Sequence, residues 1–106
     1  MYKIMLCCSA GMSTSMLVRK MQDEAASRGL EADIAAFSAT EFDERFASYD
    51  VVLLGPQVKY MQETLAAKSA GVGIPVATIN MMDYGTMRGD KVLDYALQLI
   101  EQKGVA

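Results

Sequence analysis

The chain has 106 residues, 52% of them apolar and 22% charged, with a formal net charge of −3; this describes one folded domain with a modest core, and it disfavours disorder and nucleic-acid binding. There is no histidine, which excludes a histidine metal site, a histidine base and a histidine phosphate carrier within this chain. The two cysteines, Cys7 and Cys8, are adjacent, so no ordinary disulfide joins them.

Residues 2–7 form a short, mostly apolar run that predicts a central parallel strand covered on both faces, with Lys3 near its start reaching back to solvent. A turn of small and hydroxyl residues follows, Cys8-Ser9-Ala10-Gly11-Met12-Ser13-Thr14-Ser15. Ser13 is read as a helix cap, and Met16, Leu17, Met21 and Ala25 recur at helical spacing. Arg28-Gly29 marks the stop. Residues 31–37, with Ala32, Ile34 and Ala36 alternating, predict a peripheral strand. Thr40, with Asp43 three positions on, predicts a cap for a short helix over residues 41–46.

Residues 50–55 give the next buried strand, ended by Pro56. A helix is expected from Gln57 to Ala70, with Tyr60, Met61, Thr64 and Leu65 inward. Gly71-Val72-Gly73 is a turn, residues 74–79 a fourth strand, and residues 80–89 an irregular loop. Asp90 is expected to cap a last helix, which carries Val92, Leu93, Ala96, Leu97, Leu99 and Ile100 and ends at Gly104. Strands alternating with helices predict an α/β fold, a three-layer sandwich around a four-stranded parallel sheet of order 2-1-3-4. Ligands of such sheets bind beyond the carboxyl ends of the strands. The loop at residues 8–15, the turn at 55–59 and the loop at 80–89 meet there.

The cysteines have different prospects. Cys7 still belongs to the strand and reads as a small buried hydrophobe. Cys8 stands where the strand gives way to a helix N-terminus, whose unpaired N–H groups and dipole favour a thiolate and an anion bound to it. Ser9, Ser13, Thr14 and Ser15 add hydroxyls, while Ala10 and Gly11 leave the backbone approachable, so three phosphoryl oxygens would meet many donors. Low-molecular-weight tyrosine phosphatases carry an arginine six positions after their cysteine; here that position is Thr14. Without the guanidinium, hydrolysis loses its clamp and a carrier role gains. A phosphatase with an unusual loop and a non-catalytic regulatory interaction module remain the alternatives. The nucleotide-binding pattern G-x-x-x-x-G-K-[ST] is absent. Gln57, at the end of the third strand, and Tyr84 are candidates for supporting the loop. Met12, Met81, Met82 and Met87 are candidates for a soft apolar rim.

The block from Leu6 to Ser15, together with Val51-Val52-Leu53-Leu54-Gly55-Pro56-Gln57, resembles the IIB component of the lactose/cellobiose/chitobiose family of the bacterial sugar phosphotransferase system. The resemblance spans residues 1–106 as a single IIB domain. It implies that Cys8 takes a phosphoryl group from a phosphohistidine of the IIA component. The group then passes to a sugar, such as a β-linked disaccharide (cellobiose, chitobiose or lactose), held by the membrane IIC component. Residues 9–15 become the phosphate-binding loop: Ser9, Ala10, Gly11, Met12, Ser13, Thr14 and Ser15. Neither a cofactor nor a metal is expected. No apolar run reaches membrane-spanning length and no signal-peptide pattern opens the chain, so the expectation is a cytoplasmic protein that meets the membrane only through IIC.

Overall fold

The computed structural model describes the backbone of residues 2–8 and 12–105 and the side chains of residues 2–8 and 15–102. Four strands, β1 (Tyr2–Cys8), β2 (Ala32–Ser38), β3 (Val51–Leu54) and β4 (Val76–Thr78), form a parallel sheet of order β2-β1-β3-β4. Burial explains that order. β1 is buried from Ile4 to Cys8 and β3 throughout, so these two occupy the middle, where both faces are covered.

Among the described residues five α-helices connect and flank the strands: α1 (Met12–Ser27), α2 (Phe42–Arg45), α3 (Gln62–Ala70), α4 (Met81–Gly85) and α5 (Gly89–Val105). The twofold period of the strands divides the core between two layers. Ile4 and Leu6, with Ile34, Val51 and Leu53, face Leu17, Val18, Met21 and Ala25 of α1 and Val92, Leu93 and Ala96 of α5. Met5, Cys7, Val52 and Leu54 face Phe42, Val58, Leu65 and Ile74 on the opposite side. The three-layer α/β sandwich and the order 2-1-3-4 are as the sequence predicts.

α1 ends as its sequence requires. Gly29 adopts φ +70°, Gly29 N–H donates to Ala26 C=O at 3.1 Å, and Leu30 N–H to Ala25 C=O at 2.9 Å. This pair of bonds satisfies the last carbonyls and needs a left-handed residue at Gly29. Arg28 then ties the helix end to α5, reaching Glu24 at 2.7 Å and Asp94 at 2.6 Å. At its start, α5 lies directly on α1. A Cβ on Gly89 would stand 2.7 Å from the Lys20 carbonyl carbon and 2.9 Å from Met21 N. Only glycine permits that approach.

Several local expectations are corrected. α1 starts at Met12, so Ser13 lies inside its first turn rather than at its cap. Met16 points outward, 60% exposed, and Val18 takes its place in the core. Ser38 caps the 3-10 turn Ala39–Glu41 that leads into α2, its side chain accepting from Thr40 N–H while Glu41 returns to the Ser38 N–H; α2 itself has no side-chain cap, and Thr40 and Asp43 do not form one. After Pro56 the chain makes 3-10 turns over Pro56–Met61, with Val58 off helical geometry, and α3 begins only at Gln62. That phase change buries Val58 and leaves Tyr60 77% exposed and Thr64 exposed. The fourth strand is shorter than expected. Residues 80–89 are not irregular throughout, because Asn80 caps α4 by accepting from Met82 and Asp83 N–H. α5 begins at Gly89, which puts Asp90 in its first turn bonded to Arg88, and it runs through Gly104 to Val105.

Candidate functional site

Because side chains alternate along a strand, Cys7 and Cys8 leave β1 on opposite faces. Cys7 is fully buried among Met5, Phe42, Leu54 and Val58. Burial pushes its thiol up to about 12, and the neighbouring Cys8 and Glu41 charges act in the same direction. Cys7 is therefore a protonated thiol at neutral pH, a poor nucleophile. Cys8 continues the series Ile4, Leu6, Cys8 and so shares the face of α1 and α5. It is the last residue of β1, and α1 begins at Met12. The first turn of α1 carries no acidic residue, so none of its own carboxylates offsets the positive end of its dipole. Cys8 is only 1% exposed, which means that a reactant must displace its cover.

Beside Cys8, across the sheet, is Gly55. The last paired row of β1 and β3 joins Cys7 to Leu54, and Gly55 N–H still donates to Cys7 C=O at 2.8 Å. Gly55 keeps an extended backbone, φ −63° and ψ 150°, so its missing Cβ would point to the same face as Cys8. Two side chains occupy that space. Gln57 Oε1 lies 2.5 Å and Tyr84 Cε2 3.5 Å from the position a Cβ would take. Gln57 Nε2 donates to the Tyr84 hydroxyl at 3.0 Å. Tyr84 is 8% exposed and belongs to the core layer under α1 and α5. The two side chains suggested by sequence as supports are thus in contact, brought together by the turn after β3 and by α4.

The model of the PTS lactose/cellobiose-specific IIB subunit family matches residues 3–95. The chain belongs to this family. It is 48% identical over 102 residues to the galactose-specific EIIB component of Lactococcus lactis subsp. cremoris, covering 92% of this chain and 94% of that protein. The cellobiose-specific EIIB component of Lactococcus lactis subsp. lactis gives the same identity and coverage. The oligo-beta-mannoside-specific EIIB component of Bacillus subtilis is 42% identical over 100 residues, covering 94% of this chain and 97% of that one. Among solved structures, the cellobiose-specific phosphotransferase IIB component from Borrelia burgdorferi superposes with a TM-score of 0.81 at 42% identity, over 96% of this chain and 94% of its own. The lactose-specific IIB component domain from Streptococcus pneumoniae also gives 0.81, at 18% identity over 92% and 95%; that likeness concerns the fold alone. As a member of the IIB family the chain is a phosphotransferase, a phosphoryl carrier of a transport system.

In this IIB chain the expected phosphate loop is only partly in view. Ser9, Ala10 and Gly11 lie outside the described residues, as do the side chains of Met12, Ser13 and Thr14, whose backbone forms the first turn of α1. Ser15 is exposed on that turn. Of the expected rim, Met81 and Met82 are 67% and 75% exposed, whereas Met87 is half-buried and packs against the core. Met16 and Tyr60, expected in the core, stand outside with them. All four exposed residues lie on segments that leave the carboxyl edge of the sheet. The clue to Tyr60 was the Gly-Pro pair before it, which favours a tight turn over an immediate α-helix.

A separate cleft of about 380 Å³ opens between α4 and α5, lined by Asn80, Asp83, Lys91 and Tyr95 among others, and contains none of Cys8, Gln57 and Tyr84. Among the described residues no helix is long and apolar enough to cross a membrane, and no three side chains of metal-ligating type cluster.

Proposed function

We propose that Cys8 is the phosphoryl-carrying residue and that residues 1–106 act as one IIB domain. The observation that carries this reading is the division of the cysteines at the end of β1: Cys7 is sealed in the layer of α2 and α3, and Cys8 is on the side of α1, at its N-terminal end. The Cys8 thiolate attacks phosphorus in line with the leaving nitrogen of a IIA phosphohistidine. An S–P bond forms as the P–N bond breaks, and the imidazole nitrogen keeps the electron pair. Backbone N–H groups of residues 9–15 stabilise the equatorial oxygens.

In the second step a sugar hydroxyl held by IIC attacks phosphorus. The O–P bond forms, the S–P bond breaks, the thiolate returns, and the hydroxyl proton goes to a base on IIC. Met16, Tyr60, Met81 and Met82 give both partners an adaptable apolar landing surface around the edge. The protein works in the cytoplasm, at the membrane only while bound to IIC. The sugar is a β-linked disaccharide such as cellobiose, chitobiose or lactose. Two relatives of equal identity bear galactose and cellobiose names, which fits a sugar choice made by IIC rather than here.

Incubation with phosphorylated IIA tests the assignment. Cys8→Ser abolishes stable labelling and Cys7→Ser keeps it. Labelling that persists in Cys8→Ser and disappears in Cys7→Ser overturns it.

A further inference from the structure

The cleft between α4 and α5 stands apart from the cysteines, and the carrier chemistry makes no use of it. It opens where β4 ends, and its volume of about 380 Å³ is that of a small-molecule site. Its floor is apolar, made by the buried side chains of Ile79 and Val92. Half-buried Tyr95 adds an aromatic wall. The charged groups at its border come from separate elements, Asp83 from α4 and Lys91 from α5. Among the described residues neither side chain forms an ion pair or a hydrogen bond, so two opposite charges border one cleft without closing on each other. Arg88, the nearest cation in sequence to Asp83, gives its guanidinium to Asp90 instead. Asn80 is oriented by its role as a cap: its Oδ1 accepts from Met82 and Asp83 N–H, which leaves its amide hydrogens to donate. Thr78 donates its hydroxyl to Gln62, which leaves its lone pairs to accept.

An apolar floor, an aromatic wall and a border that mixes donors with acceptors match one chemical class. A pyranose has a C–H face and a rim of hydroxyls, each of which both donates and accepts. The cleft's charges sum to zero, so an added phosphate would lose to Asp83 what it gained from Lys91, and a neutral ligand is favoured over an anionic one. We infer that this cleft binds the pyranose ring of a free, neutral sugar, with Tyr95 against the ring face, Asp83 accepting from its hydroxyls, and Asn80 and Lys91 donating to them. The site is distinct from the sugar that the carrier reading places on IIC, and it needs no phosphate on Cys8. It draws α4 and α5 together around the ligand, since each supplies one of the two charges.

The test titrates the nitrogen-15-labelled protein with cellobiose and follows its backbone amides by NMR. Glycerol (hydroxyls without a ring), glucose 6-phosphate and leucine (a zwitterion) are the comparison ligands. Cellobiose gives saturable shifts centred on Asn80, Asp83, Lys91 and Tyr95, with a midpoint in the millimolar range, and each comparison ligand gives less at equal concentration. Asp83→Ala removes the charged acceptor and weakens binding by about tenfold. Tyr95→Leu keeps an apolar side chain against the core, removes the aromatic face, and weakens binding by about fivefold. In both variants the rest of the amide spectrum stays in place. The absence of a saturable shift, an equal or stronger response to any comparison ligand, or undiminished binding in either variant overturns the inference. Labelling of Cys8 by phosphorylated IIA is read separately, so the carrier role stands or falls on its own.

Discussion

The two sides of the sheet differ more than their shared strands suggest. One is roofed by two long helices, α1 and α5, clamped together by the Gly89 contact and by Arg28. The other is roofed by short pieces: 3-10 turns, the four-residue α2 and the nine-residue α3. Cys8 belongs to the first side and Cys7 to the second. The broken side seals its thiol, with Phe42 stacked on Phe46 at 4.6 Å beside it. On the other side a helix N-terminus comes to the end of the central strand. The peptide unit that separates the two sulfurs sends them into opposite chemistry, and neither cysteine could take the other's role without shifting the register of β1.

The largest effect expected from disturbing this contrast is on the sealed side. Phe42→Ala should cost about 3–5 kcal/mol, as a large core truncation does, while the molecules that remain folded still accept phosphate at Cys8. Urea unfolding and labelling read the two quantities separately. On the other side, Gly89→Ala forces α5 away from the α1 backbone at Lys20 and Met21 and should cost about 1–3 kcal/mol in urea unfolding.

The buried thiol gives a pH signature. Its ordinary value near 9 rises to about 12 in the fold. The unfolded chain therefore loses this proton first, and the stability gained from the neutral thiol is complete below pH 9 and drains away as the pH climbs to 12. Between pH 8 and pH 10 the loss amounts to about 1.4 kcal/mol. Cys7→Ala should remove that share of the decline in chemical denaturation, and an unchanged pH slope would contradict a sealed Cys7. The smallest effect belongs to the rim. Met16→Gln should change stability by less than about 0.5 kcal/mol and still weaken the encounter with IIA, seen as a higher KM for phosphorylated donor at an unaltered maximal rate.

The sheet was legible in sequence because Ile4 to Cys7 and Val51 to Leu54 are continuous apolar runs, and only central parallel strands need both faces covered. Local detail was less so where a short polar residue decided the backbone. Asn80 caps α4 ahead of Met81 and Met82, which show no inward period, and a periodicity reading sees only a loop there. Ser38 outcompetes Thr40 because Glu41 stands at the right distance to complete the reciprocal bonds. Val58 breaks the helical phase after Gly55-Pro56 and turns Tyr60 outward. At the site, alternation alone separates Cys7 from Cys8. The Gln57–Tyr84 bond joins residues 27 positions apart, and no local pattern announces it; the packing of α4 over the end of β3 creates it.

The most direct measurement is to charge the unaltered protein with phosphorylated IIA, cleave it under conditions that preserve a thiophosphate, and sequence by tandem mass spectrometry the single peptide holding both cysteines. Phosphate on the Cys8 sulfur, with Cys7 carrying only an alkyl group added after unfolding, is the predicted result. Phosphate on Cys7, or shared equally between the two, would contradict it.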